Sequence, residues 1–225
     1  MQNETTVGGD LLGLSADELL NTTRGVRLRL DFERPVPREL LVECVRTALQ
    51  APSGSNRWLM HFVIVTDAEQ RAALGEIYRS AYDQYRAIPT YIGNIDKGDP
   101  ERNANQQRTA LSADFLAENL HRAPALVIGC AKGRAEKGPP ISKTTLLGSV
   151  IPGMWSFMLA ARLRGLGTNW TTVHLFQEEA VASVLGIPND EVTMAAMSPV
   201  AFTKGTDFKR AMRPEPEEVV HWDRW

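Results

Sequence analysis

The chain has 225 residues, of which 43% are hydrophobic and 23% charged, enough for one well-buried core under an ordinary polar surface. A net charge of −2 lacks the basic surplus of a dedicated nucleic-acid binder, and Cys44 and Cys130, each inside an apolar run, read as reduced core residues rather than a disulfide. Residues 1–10 lack the basic-then-apolar order of a signal peptide, and no apolar run reaches the ~20 residues of a membrane span, so the expectation is a cytoplasmic protein off the membrane.

Along the chain, Ser15-Ala16-Asp17-Glu18 is a capping box that opens a short helix. Five arginines follow (Arg24, Arg27, Arg29, Arg34, Arg38) against two acids, Asp31 and Glu33, a local surplus that suits a small anionic ligand or a solvated face. After Pro35 and Pro37, Leu40, Leu41, Cys44, Val45, Ala48 and Leu49 recur at helical spacing and predict a helix ending at Ala51-Pro52. Pro52-Ser53-Gly54-Ser55-Asn56 reads as a turn and 61–65 as a buried strand, and Asp67 with Gln70 opens the next helix. Residues 87–105, with Pro89, Gly93, Gly98 and Pro100, read as a long irregular connection of the kind that forms lids.

Residues 111–120 predict a helix, 125–130 a second buried strand, 132–140 a loop, and 148–164 the most apolar helix of the chain. A strand at 168–173, a helix at 178–185 stopped by Gly186 and Pro188, and a strand at 192–202 complete the pattern. The polar tail from Thr203 ends in Trp222 and Trp225, which call for a surface to pack on, either a partner subunit or the same domain. Helices interspersed with few strands make an α+β or α/β layered domain, taken as a single unit over 1–225 with 1–14 flexible.

The chemistry of the chain is narrowed by what it lacks. There is no P-loop and no His-Glu-x-x-His, and Gly165-Leu166-Gly167 leaves a helix for a strand, the wrong context for a dinucleotide fingerprint. The histidines (His61, His121, His174, His221) show no metal-ligand spacing. Met154, Trp155 and Met158 read as packing residues and Arg29 and Arg34 as surface residues. A core with an arginine cluster and no acid, base and nucleophile set either borrows its chemistry from a cofactor or belongs to a binding module.

Three blocks carry a resemblance. Thr23-Arg24-Gly25-Val26-Arg27 is followed by Pro35-Val36-Pro37-Arg38-Glu39-Leu40-Leu41, and then Ala51-Pro52-Ser53-Gly54-Ser55-Asn56 leads to Phe62-Val63-Ile64-Val65-Thr66-Asp67. Later come Ala160-Ala161-Arg162, Gly165-Leu166-Gly167-Thr168 and Trp170-Thr171-Thr172, and the tail carries Arg213-Pro214 with Glu217-Glu218-Val219-Val220. In this order they resemble the nitroreductase family of FMN enzymes.

The resemblance implies a three-layer α/β/α sandwich with a mixed, mainly antiparallel central sheet, in an intertwined homodimer with FMN at the subunit interface. The tail of about 203–225 would extend over the partner. It also implies a ping-pong oxidoreductase in which NAD(P)H reduces FMN and a nitroaromatic, quinone or similar electron-poor acceptor oxidises it. No catalytic side chain and no metal are required.

Arg24, Gly25 and Arg27 match the family's phosphate motif, and Arg213 with Lys209 matches the basic residues closing on the phosphate from the C-terminal side. A doubly charged phosphate suits arginine's planar donor fork, and Arg27 suits the flavin N1/C2 carbonyl edge. Pro52, Ser53, Gly54, Ser55 and Asn56 match a turn offered by the partner subunit. Thr171 and Thr172 match the strand end whose backbone N–H approaches flavin N5.

Departures from the family pattern are Thr23 for an arginine, Gly25 for a serine, Trp58 and Met60 where glutamine and tryptophan are common, and the unmatched 87–105 connection. Dehalogenation, enone reduction, flavin cleavage, heterocycle oxidation and non-catalytic flavin storage stay open as alternatives.

Overall fold

A computed structural model describes residues 11–225. Most of the segment expected to be flexible, residues 1–10, lies outside the described residues. At its end, Leu12 N–H donates to Leu163 O at 2.7 Å, which ties the chain to the end of the most apolar helix.

The helices are α1 (Ala16–Thr22), α2 (Arg38–Ala48), α3 (Ala68–Ala87), α4 (Pro100–Asn119), α5 (Pro140–Leu163) and α6 (Glu178–Leu185). The strands are β1 (Leu30–Asp31), β2 (Met60–Val65), β3 (Ala125–Lys132), β4 (Leu166–Thr168) and β5 (Val192–Thr203). Local chemistry sets the helix ends. Ser15 Oγ accepts from Glu18 N–H while Glu18 reaches back to Ser15 N–H, the reciprocal cap expected from the sequence. Asp67 caps α3 through Gln70 N–H at 2.9 Å, and Gly186 ends α6 in the left-handed region at φ 64°.

Two helices begin earlier than the hydrophobic pattern predicts. Helix α4 starts at Pro100, where Asp99 accepts from Arg102 N–H at 2.8 Å and the proline occupies the first helical position. Its first turns carry Glu, Arg, Asn and Gln with no apolar stripe, so periodicity was silent there. The irregular connection is therefore only 88–99, with a 3-10 turn at Ile92–Asn94. Helix α5 likewise starts at Pro140, inside the predicted loop. It has 24 residues and a mean hydropathy of 1.4 over its most apolar window, so it is long and apolar enough to cross a membrane by length and composition. That window is 56% buried inside the domain, as in a core helix. Here it serves as the central helix, with Val150, Met154, Phe157 and Ala161 buried in the core.

The sheet runs β1-β5-β3-β2, with β4 also paired to β5, and every strand pairing is antiparallel. Among the described residues the parallel component is the isolated bridge between Gly133 and Val192, so the sheet is mainly antiparallel as expected.

Strand β3 shows how the layers form. Ala125 and Val127 face α2 and α5, whereas Leu126, Ile128 and Cys130 face α3, α4 and α6. Both faces are covered, giving a three-layer sandwich. The register shifts between Gly129 and Cys130, which oppose Ala196 and Met194 and leave Ala195 as the extra residue. The bulge puts two consecutive residues, Ala195 and Ala196, into the clusters on the α5 side. Cys44 and Cys130 are both buried and free, and burial raises their thiols to about 11 and about 12, so they are inert core residues.

The tail leaves β5 at a fixed root. Arg29 Nε donates to Lys204 O at 2.9 Å, and Arg29 Nη1 and Nη2 meet the Asp207 carbonyl and carboxylate at 3.0 and 2.8 Å. Beyond Phe208 the tail lies on the surface, with Trp222 84% and Trp225 100% exposed.

Candidate functional site

Two concavities meet at Arg27. The first, about 310 Å³, lies between α3, the 88–99 connection and the segment after β4, with Tyr78, Tyr85, Ile92, Thr171, Thr172 and Phe176 in its lining. The second, about 250 Å³, is lined by Arg24, Gly25, Arg27, Arg29, Ser112 and Phe208.

Arg27 donates from Nη1 to Ser112 Oγ at 3.0 Å. Burial lowers its pKa, and the nearby Tyr78, Tyr82 and Tyr85 only partly offset that effect. No carboxylate pairs with it among the described residues. A largely desolvated guanidinium without a counter-ion is costly, and an anionic or strongly hydrogen-bonding ligand relieves that cost.

Arg24 is exposed and donates from Nη1 to Lys209 O at 3.2 Å, which brings the start of the tail against the second concavity. Arg29 lines the same concavity, but its charge is already paired with Asp207. The free cationic capacity here therefore belongs to Arg24 and Arg27. Arg213 is exposed, and Nη1 donates to the adjacent Met212 O, so within one protomer it does not join them. Gly25 has a local reason for replacing the family's serine: a Cβ there would stand 2.7 Å from Asn169 Oδ1.

Thr171 and Thr172 are set by an interrupted strand. The predicted strand over 168–173 is shorter: β4 ends at Thr168, and only Thr171 bridges β5 farther on. The cause lies in β5. The residue opposite Asn169 in register is Pro199, which has no N–H to donate, and Asn169 N–H turns instead to Ser198 Oγ at 2.9 Å. Thr171 then returns to the ladder with two backbone bonds to Met197, each 2.9 Å, while its hydroxyl meets Tyr78 OH at 2.8 Å. The chain turns at once into the 3-10 segment Val173–Gln177. Thr172, exposed beside the first concavity, finds no intrachain acceptor for its N–H among the described residues.

The Pro52–Asn56 turn sits elsewhere. Gly54 N–H donates to Ser149 Oγ on α5 at 2.8 Å, and a Cβ on Gly54 would collide with Thr145 Cγ2. Ser55, Asn56 and Trp58 all hold positive φ (54°, 53° and 50°), a costly local conformation for residues other than glycine. Ser53 Oγ accepts from Trp58 N–H, and Asn56 Oδ1 accepts from the Trp58 indole. Neither concavity beside Arg27 includes any residue of this turn, whereas Pro52 lines a separate apolar groove between α1, α2 and α5. One protomer thus brings together Arg24, Gly25, Arg27, Thr171, Thr172 and the Lys209 backbone, and holds residues 52–56 and Arg213 apart.

Sequence reasoning missed Ser112, Asn169, Phe176, Phe208 and the tyrosines. The tyrosines did carry a signal. All four of the chain lie within 78–91, and Tyr78, Tyr82 and Tyr85 share one helical face at spacings of four and three. No cluster of His, Cys, Asp or Glu among the described residues could hold a metal ion.

A sequence profile described as the Nitroreductase family matches residues 22–199. A protein of Archaeoglobus fulgidus with the provisional name NADH dehydrogenase/NAD(P)H nitroreductase is 22% identical over 211 residues, covering 92% of this chain and 97% of its own. Among solved structures, the FMN and NADPH-dependent nitroreductase NfnB from Sphigopyxis sp. strain HMH superposes with a TM-score of 0.69 at 22% identity, covering 94% of this chain and all of its own. Oxidised iodotyrosine deiodinase, bound to FMN and 3-iodo-L-tyrosine, superposes with a TM-score of 0.65 at 19% identity, covering 90% and 96%. At these identities the likeness to the solved structures is one of fold.

Proposed function

Because the chain belongs to the Nitroreductase family, we propose that it binds FMN where the two concavities meet, along Arg24, Arg27 and Thr172, and uses NAD(P)H to reduce nitroaromatics, quinones or similar electron-poor acceptors. The observation that carries this reading is Arg27, a largely buried cation with no carboxylate partner, placed between a basic concavity and one of tyrosine and threonine. When bound, FMN supplies the hydride chemistry, which the side chains of this protein do not. Arg24 and Arg27 hold the phosphate end and the electron-rich ring edge, and Gly25 leaves the backbone free to approach. Thr171 fixes the strand end so that Thr172 N–H is presented to the ring.

We place the second half of the site on another copy of the chain, in a homodimer. Pro52, Ser53, Gly54, Ser55 and Asn56 form a turn that is exposed at Pro52, Ser55 and Asn56, strained at the last two, and outside the protomer's own pocket, which suits a ligand shared with a neighbour. The tail beyond Lys209, with Arg213, would pack on that neighbour, because Val219, Val220, Trp222 and Trp225 are exposed on their own domain.

The test is the absorption spectrum of freshly purified protein, followed by NADPH or NADH under nitrogen. Bound flavin that bleaches and is reoxidised by a nitroaromatic supports the reading. Protein that stays colourless after FMN addition overturns it, and flavin that resists reduction points to storage.

A further inference from the structure

The far wall of the first concavity is organised by a carboxylate that does not line it. Asp114, on α4, gathers three partners at one oxygen, Oδ1: it accepts hydrogen bonds from Tyr82 OH at 2.9 Å and Tyr91 OH at 3.1 Å and forms an ion pair with Arg86 Nη2 at 2.7 Å. Tyr82 and Arg86 come from α3, and Tyr91 comes from the connection that follows it. Burial alone would raise the Asp114 carboxyl, but the donors from Arg86, Tyr82 and Tyr91 outweigh it and hold the group below the usual carboxylate range, ionised at neutral pH.

The same connection is held at further points. Ile92 N–H donates to Tyr85 OH at 2.9 Å, Gln106 Nε2 to Ile92 O at 2.9 Å, and Gln107 Nε2 to Gly93 O at 3.0 Å. Tyr82, Tyr85 and Tyr91 meet edge to face with ring centroids 5.3–6.3 Å apart. The result is a fixed connection, not a loose loop. Ile88 and Ile92 project from it into the concavity and join Tyr85 and Phe176 in an apolar wall. Arg27 and Thr172 also line the space, and no Asp, Glu or Lys does.

We propose that Asp114 is a positioning residue that, through Tyr82 and Tyr91, holds Ile88 and Ile92 as the wall that selects flat, uncharged aromatic acceptors over cationic ones. Identification of the occupant as an electron acceptor rests on the function proposed above, while the latch itself rests on the contacts just described. A flat ring gains apolar contact on the isoleucine and tyrosine side, and a cationic substituent would be desolvated against that wall with no Asp or Glu in the lining to pair it. Releasing the latch disperses the wall but leaves Arg27 and Thr172 in place, so acceptor KM rises while kcat holds.

Asp114→Ala and Tyr91→Phe test this, the second removing one hydroxyl and leaving the Arg86–Asp114 pair. Hydrogen–deuterium exchange over 88–95, a readout independent of flavin, should quicken by about tenfold in Asp114→Ala and less in Tyr91→Phe. Steady-state turnover should favour 4-nitrobenzyl alcohol over 4-nitrobenzylamine through KM in the wild type, and KM for the alcohol should rise in both variants with kcat and flavin content unchanged. If Asp114→Ala fails to fold, Tyr91→Phe decides. Unchanged exchange in the variants, equal KM for the two probes, or a loss confined to kcat would overturn the proposal. Flavin-free wild-type protein would overturn the proposed function instead, with the exchange rates then deciding whether the latch stands.

Discussion

His174 offers a test of the fold that does not depend on any ligand. It lies in the 3-10 segment after Thr172, fully buried, and neither ring nitrogen has a hydrogen-bond partner. Burial lowers its pKa from 6.5 to about 4, so the folded chain binds the histidine proton more weakly than the unfolded chain does. Above pH 6.5 neither state is protonated there and the group has no pH effect. Between pH 6.5 and about 4 the unfolded state gains a proton that the folded state refuses, so stability falls as pH falls. At ~1.4 kcal/mol per pH unit the loss accumulates to about 3 kcal/mol, and below about pH 4 it grows no further.

His174→Leu, close in volume and free of unpartnered nitrogens, should abolish this contribution and hold or raise stability at pH 8. Urea unfolding of both proteins at pH 8, 6, 5 and 4.5, at one protein concentration and one FMN concentration, isolates the effect, because carboxylate titration is common to both. The gap between the two proteins should widen by about 2 kcal/mol between pH 7 and pH 5. Parallel pH profiles would show that the imidazole is solvated or paired after all and would refute the argument.

Arg27→Ala and Arg24→Ala should each weaken FMN binding by about ten- to a hundredfold in a fluorescence titration of apoprotein, with circular dichroism unchanged, while Arg29→Ala should mainly loosen the tail. Arg213→Ala should lower flavin occupancy only if the tail closes over a neighbour's site, so unchanged occupancy would remove that residue from the phosphate site. Gly25→Ser drives a side chain against the end of the Asn169 side chain and should cost about 1 kcal/mol or less in urea unfolding, despite restoring the family's usual residue. Truncation after Phe208 should convert a dimer to monomers in light scattering while the sheet stays folded, since that segment adds no strand to its own sheet. A truncated chain that stays dimeric would show that the tail is dispensable to assembly.

Much of this architecture was legible from local signals. The continuous apolar run in 125–130, the capping residues Ser15 and Asp67 and the left-handed stop at Gly186 all report local physics. The sequence was mute at the start of α4, where a helix forms without an apolar stripe, and at the end of β4, where the determining residue, Pro199, lies thirty positions away in another strand. The same division holds for the site. Arg24, Gly25, Arg27, Thr171 and Thr172 belong to motifs that could be read by resemblance, and the structure gathers them. Asp114 belonged to no motif. Its role depends on three donors converging in space, and linear order conceals that convergence.

The distance between the Arg24–Arg27 cluster and the Pro52–Asn56 turn on a single protomer has a consequence for inheritance of defects. Where a site draws one half from each chain, a lesion in the arginines and a lesion in the turn, each silencing its own homodimer, complement one another on co-expression. In the mixed pair one cleft inherits both lesions and the other neither, so two inactive alleles together yield working enzyme.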